Sequence, residues 1–318
     1  MKPTYIVPAL FAAACATTPA TQDTPPPPNV SYHQHLASPA IGELMGYPGL
    51  SFEGETLIGQ LDDAGIRRAV VLSVAYMFGD DRRQVEQEEE KVRAENDWTS
   101  AAVSRWPDRL VGFCGVNPLR EYAVSELERC ARLPGMIGIK LHFGNSGVSL
   151  RNPDHLAAVG RVFEMANVEG LPLVVHMRAR EGTEFGRQDA QIFLDRLLPL
   201  APNSVVQVAH MTGAGGYPDY ADAAMSVFAA ATRARDPRTH LLFFDLTSVV
   251  TAETSIDEGR NIAARLREVG MNRALFGADM ALGDNPPPRE SWELFLAKTP
   301  LTAAEFSDIA DNVAPYLR

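Results

Sequence analysis

Short apolar runs rich in β-branched residues recur along the chain at Val30–His35, Ala69–Val74, Leu110–Val116, Ile137–His142, Leu173–His176, Val205–His210, Leu241–Leu246 and Ala274–Asp279. Such runs read as buried strands. Successive runs begin 27 to 41 residues apart, enough for a strand, a crossover helix and two loops. The intervening stretches carry apolar residues at helical spacing: Leu57, Ile58 and Leu61; Leu156, Val159, Val162 and Phe163; Ile192, Phe193 and Leu197. Eight strands alternating with helices predict an α/β chain folded as one closed (β/α)8 TIM barrel over residues 29–318, with a last helix around Ala303 to Leu317 closing the outer ring. The acidic run Glu86 to Glu95 reads as the solvated face of the helix after strand 2. Gly213, Gly215 and Gly216 match no nucleotide fingerprint and read as loop hinges.

The first 28 residues follow another pattern. Lys2, an apolar stretch from Tyr5 to Ala14 and then Cys15 read as an export signal (residues 1–14) too short to span a bilayer. The stretch resembles a bacterial lipoprotein signal, which implies cleavage before Cys15, lipidation of that residue and a periplasmic, membrane-tethered protein. Residues 15–28, with four consecutive prolines, cannot build a core and read as a tether. Cys114 falls in a strand and Cys130 in a helix. The two could pair in an oxidising periplasm, but the simpler expectation is two buried free thiols.

Composition adds mainly exclusions. With 46% hydrophobic and 22% charged residues the chain can bury a large core. A net charge of -11 repels nucleic-acid phosphates and anionic membrane surfaces, leaving a small molecule as the expected partner, with membrane contact only through a lipid on Cys15. Oligomeric state is not legible.

In such a barrel the chemistry lies at the C-terminal ends of the strands. Those ends carry His33 and His35, Lys140 and His142, His176, His210 and Asp279. Residues two apart on a strand share a face, so His33 and His35 can converge on one ion. Nitrogen and oxygen donors without sulfur suit a catalytic divalent site with open positions. His155, near a helix start, and His240 read as surface residues.

The chain resembles the amidohydrolase superfamily, in its amidohydrolase-related branch, which also contains metal-dependent decarboxylases. The resemblance rests on His33-Gln34-His35, Gly138-Ile139-Lys140-Leu141-His142, Val175-His176, Ala209-His210, Phe276-Gly277-Ala278-Asp279, the stretch from Trp106 to Phe113 and the closing Asp311-Asn312-Val313-Ala314. It implies that His33, His35, His176 and Asp279 hold a Zn²⁺-like ion that lowers the pKa of bound water. Asp279 would take the proton of the attacking water, and His210 would orient that water or polarise the substrate carbonyl. His142 and Arg178 would contact substrate, Arg178 suiting a carboxylate. In some members a carboxylated lysine on strand 4 bridges two ions. Here that role would fall to Lys140, with His176 and His210 serving the second ion; with one ion, Lys140 acts on substrate or behind the ligands. The expected activity is hydrolysis of an amide, lactone or ester carbonyl by metal-bound hydroxide. The alternative is metal-dependent, non-oxidative decarboxylation, and a third reading, a non-catalytic binding lipoprotein, would require an incomplete ligand set.

Overall fold

A computed structural model of the chain describes residues 25–279 and 285–318. The signal over 1–14, Cys15 and tether residues 15–24 lie outside the described residues.

Eight parallel strands pair in sequence order: β1 (Val30–Gln34), β2 (Arg68–Leu72), β3 (Leu110–Gly115), β4 (Met136–His142), β5 (Leu173–His176), β6 (Val206–Val208), β7 (Leu242–Asp245) and β8 (Ala274–Leu275). The Tyr32 amide donates to the Phe276 carbonyl (2.7 Å) and the Asp279 amide to the His33 carbonyl (2.8 Å), joining β1 to the segment leaving β8. Helices follow the strands on the outside. Residue choice starts and stops them: Asn152 caps Pro153–Glu169 through its side chain with Pro153 at the first position, and Gly170 ends it in a left-handed conformation at φ 69°.

Strand alternation divides the core in two. Val70, Leu72, Phe113, Val174 and Leu275 fill the barrel interior with Val30, Tyr32, Ala314 and Leu317. Ala69, Val71, Cys114, Ile139 and Val175 face the helices. Gly138 is glycine because the ring of Phe113 occupies its side-chain space; a Cβ there would lie 2.4 Å from that ring. Lys140 and His142 follow at two-residue steps, so one face of β4 runs from packed interior to barrel mouth.

The sequence reading needs four amendments. Cys114 and Cys130 form a disulfide, because the helix Ala123–Cys130 packs on β3 and brings their Cα atoms to 6.0 Å; strand and helix positions are compatible with a bridge at that separation. The last helix stops at Asp311, and a 3-10 turn, Pro315–Leu317, inserts into the interior cluster. Glu95 is not solvated: it is buried, and its carboxylate receives hydrogen bonds from the Ser38 hydroxyl and from the Ser38 amide at 3.4 Å. Strands 6 and 8 end earlier than their apolar runs, and what replaces their last residues shapes the site.

Candidate metal centre and active site

The imidazoles enter the site by different routes. On β1, Val30 and Tyr32 belong to the interior cluster, yet His33 and His35 also face the mouth. Strict alternation forbids both, and the pairing of β1 with β2 slips between Ser31 and Gln34. That irregularity rephases the strand, as a bulge does. On β4 and β5, His142 lies opposite His176 in register and their rings stack at 3.9 Å. His210 and Asp279 lie just past β6 and β8 with left-handed backbones, φ 55° in each. For non-glycine residues this costs on the order of 1–3 kcal/mol each. Asp245 Oδ1 holds the His210 amide at 2.8 Å and the His33 carbonyl holds the Asp279 amide at 2.8 Å.

Hydrogen bonds fix which nitrogen each histidine presents. His35 Nδ1 is 2.6 Å from the Leu72 carbonyl and His210 Nδ1 is 2.8 Å from the Thr247 carbonyl. A carbonyl can only accept, so both Nδ1 atoms carry the proton, and in the neutral rings both Nε2 atoms are left with a lone pair that can ligate an ion. His33 Nδ1 likewise donates to Asp245 Oδ2 at 3.0 Å. The Asp279 carboxylate closes the group: Oδ1 lies 3.1 Å from His35 Nε2 and 3.6 Å from His33 Nε2. His176 Nδ1 is buried and unpartnered among the described residues, and the His176 ring lies 4.9 Å from that of His210.

These donors fit a divalent ion. The ligand atoms of His33, His35 and Asp279 lie within 4.8 Å of one another, and an orphaned buried imidazole nitrogen costs free energy that coordination would recover. Lys140 is buried with Nζ 3.1 Å from His33 Nε2, on the same side as the other ligands. Burial lowers its pKa to about 8. Burial and Lys140 depress His33 to about 3, keeping it neutral and able to ligate. Burial alone would raise the carboxyl of Asp245, but His33, which donates from Nδ1, and the His210 amide outweigh it and hold it below the usual carboxylate range.

The cavity above these groups is about 460 Å³. Ile41, Met45, Val74 and Met77 line one part of it, and Arg82, Asn145, Arg178, Arg180 and Asn285 also contribute. Arg82 is tied to Asp80 and Arg180 to Asp80 and Asp81. Arg178 makes no ion pair among the described residues and lies 5.2 Å from the Tyr220 ring. All eight residues singled out in the sequence, His33, His35, Lys140, His142, His176, Arg178, His210 and Asp279, line this one cavity. His155 and His240 do not; His155 Nδ1 accepts from the Ser149 amide and His240 is exposed.

Sequence reasoning missed Asp245, Gln207 and Tyr76. Asp245 is fully buried and accepts from His33, from Gln207 Nε2 (2.7 Å) and from the His210 amide. Gln207 Oε1 in turn accepts from the Tyr316 hydroxyl at 3.0 Å, linking the C-terminal turn to a candidate ligand. A carboxylate ending the run Leu241-Leu242-Phe243-Phe244-Asp245 was the available signal.

The Amidohydrolase family model matches residues 32–312, so the chain belongs to that family, and it is an enzyme of the amidohydrolase superfamily. No curated protein matches it. Solved structures share the fold at low identity. A 5-carboxyvanillate decarboxylase from Sphingomonas paucimobilis is 13% identical, with 89% of this chain and 96% of that one covered and a TM-score of 0.60. The Novosphingobium aromaticivorans 5-carboxyvanillate decarboxylase, solved with manganese and 4-hydroxy-3-methoxy-5-nitrobenzoic acid, is 16% identical over 92% and 97%, with a TM-score of 0.56. An Acinetobacter baumannii protein with citric acid bound, described as a probable 2-pyrone-4,6-dicarboxylic acid hydrolase, is 15% identical over 88% and 95%, with a TM-score of 0.55.

Proposed function

We propose that the enzyme hydrolyses an amide, lactone or ester carbonyl of a small anionic substrate with the help of a divalent ion, Zn²⁺ being the expected one. The observation that carries this reading is the size of the donor set: Lys140, His176 and His210 converge beside His33, His35 and Asp279, more donors than one ion in a decarboxylase requires. His33, His35 and Asp279 would hold one ion and His176 and His210 a second, with Lys140 between them as a carbamate. A buried lysine is a poor cation ligand as an ammonium, whereas carboxylation would give it two anionic oxygens.

Bound there, such an ion polarises a carbonyl and makes water acidic enough to react near neutral pH. The protein supplies the rest. Asp279 faces the cavity as a carboxylate, steadied by the Asn285 side-chain amide at 3.2 Å, and is placed to take a proton from attacking water. As a ligand of a second ion His210 would spend its Nε2 lone pair on the metal; with one ion, the neutral ring would be free to orient that water. Arg178, which makes no ion pair among the described residues, is suited to an anionic group of the substrate.

Decarboxylation is the second reading, favoured by the fold shared with two decarboxylases, one solved with manganese. Lactones, esters, amides and aromatic acids assayed with Zn²⁺ or Mn²⁺ separate the two. Turnover of a hydrolysable compound, abolished by chelation, is expected; CO₂ release with no hydrolysis of anything else gives the site to the lyase. Metal analysis after purification with bicarbonate should find close to two ions per chain, and one ion with an unmodified Lys140 rules out the bridged arrangement.

We further propose export, with Cys15 lipidated. The Cys114–Cys130 disulfide supports it, since such bonds persist in oxidising compartments. Mass spectrometry of membrane fractions should recover a diacylglyceryl-modified N-terminal peptide; a mature soluble protein with unmodified Cys15 would refute it.

A further inference from the structure

The reaction proposed above builds negative charge on the substrate's carbonyl oxygen, and the imidazoles nearest Asp279 cannot receive it. His33, His35 and His210 each donate from Nδ1 to Asp245, Leu72 and Thr247, and with an ion bound their Nε2 lone pairs would be turned to it, not to the substrate. Beside the ion that would polarise the carbonyl, any hydrogen-bond donor to that oxygen comes from elsewhere on the wall.

Two groups qualify. His142 is the reverse of its neighbours: its Nδ1 accepts from the Asn145 amide at 3.2 Å, which puts the proton on Nε2. Stacking on His176 and the helical turn Phe143–Ser146, which His142 itself caps, fix the ring plane. Tyr76 comes from the 3-10 turn Ala75–Met77 after β2. Its ring lies 5.0 Å from that of His142, it is only 4% exposed, and it lines the same cavity. Its hydroxyl has no hydrogen-bond partner among the described residues. The hydroxyl is not sealed in the core but opens on the cavity, so its proton is available to a bound ligand. Burial, then the nearby Asp279 carboxylate, push its pKa up, so it stays a neutral donor at working pH.

We infer that Tyr76 Oη–H and His142 Nε2–H form a donor pair that binds the oxygen of the substrate on which negative charge develops. The inference rests on the hydrolytic reading. As water adds, a carbon–oxygen bond forms and the carbonyl π pair moves onto the oxygen, which the two donors stabilise. Asp279 takes the water's proton. When the pair returns, the bond to the leaving oxygen or nitrogen breaks and that proton passes to the leaving group. Nothing beyond water and substrate is consumed. Donors aimed at a developing charge act mainly on kcat.

The test compares wild type with Tyr76→Phe, which keeps the ring against His142, and with His142→Phe, which keeps an aromatic ring on His176. Metal content and circular dichroism of Tyr76→Phe should match wild type. Binding of phenylphosphonate, whose tetrahedral anionic oxygens imitate the charged oxygen, should weaken about ten- to a hundredfold in Tyr76→Phe by calorimetry. On phenyl acetate, kcat should fall about a hundredfold or more with KM little changed. His142→Phe should move both readouts in the same direction. If wild type binds phenylphosphonate through Tyr76 but hydrolyses no ester, lactone or amide, the donor pair stands and the hydrolytic reading falls. If Tyr76→Phe binds and turns over like wild type, or metal-loaded wild type does not bind phenylphosphonate, the donor pair is overturned.

Discussion

Asp245 shows how a residue behind the cavity wall can set the chemistry of one that faces the cavity. By accepting the hydrogen bond of His33 Nδ1–H it keeps the Nε2 lone pair for the cavity, and by holding the His210 amide it stabilises a backbone that a non-glycine residue otherwise avoids. Asp245→Asn, which keeps the shape but removes the charge, should lower metal affinity about ten- to a hundredfold with the fold intact. Chelator competition reads this directly, and unchanged affinity would show that the carboxylate only fills space. The candidate ligands were legible because histidines at strand ends are chemically conspicuous. Asp245 left only the weak signal of a lone carboxylate closing an apolar run, and Tyr76 left none, because it sits in a turn whose direction the sequence does not encode.

At the level of elements, the eight strands are legible because β-branched runs and helical periodicity are local signals. Where strands stop is less so: the runs through His210 and Asp279 look continuous, but their last residues are held out of the ladder by tertiary hydrogen bonds. The helix Glu88–Val103 is a similar case. Its acidic start reads as solvated, yet Glu95 turns inward to bind Ser38, which caps the short helix Pro39–Leu44 beside the cavity. Burial raises the Glu95 pKa to about 7, against the partial opposition of Ser38. A raised carboxyl pKa means that the folded state holds the proton more tightly than the unfolded chain. Its contribution to stability is therefore present below the unfolded value near 4.5 and is lost as pH rises through about 7. A shift of that size corresponds to roughly 3 kcal/mol at most. Glu95→Gln should flatten this part of the stability profile and equal or exceed wild type in urea unfolding at pH 8. A variant markedly weaker than wild type at pH 8 would show that the ionised carboxylate, not the neutral acid, is the preferred partner of Ser38.

For the molecule as a whole, the disulfide ties the fold to its surroundings. The reading from sequence favoured free thiols because a strand residue and a helix residue give no sign of proximity, and only the packing of the helix Ala123–Cys130 on β3 brings them together. Both cysteines are fully buried in the layer between strands and helices, so reduction demands at least local opening of that layer. The bridge closes a stretch with a sequence separation of 16, for which loss of chain entropy in the unfolded state predicts a stabilisation of about 3 kcal/mol. The protein should therefore show no free thiol at Cys114 or Cys130 when unfolded without reductant. Its urea midpoint should fall when unfolding is brought to equilibrium with dithiothreitol, and the double variant Cys114→Ala, Cys130→Ala should show a lowered midpoint that dithiothreitol no longer moves. Equal midpoints for wild type with and without reductant would remove the disulfide from the stability of the barrel, and with it the structural support for maturation outside the reducing cytoplasm.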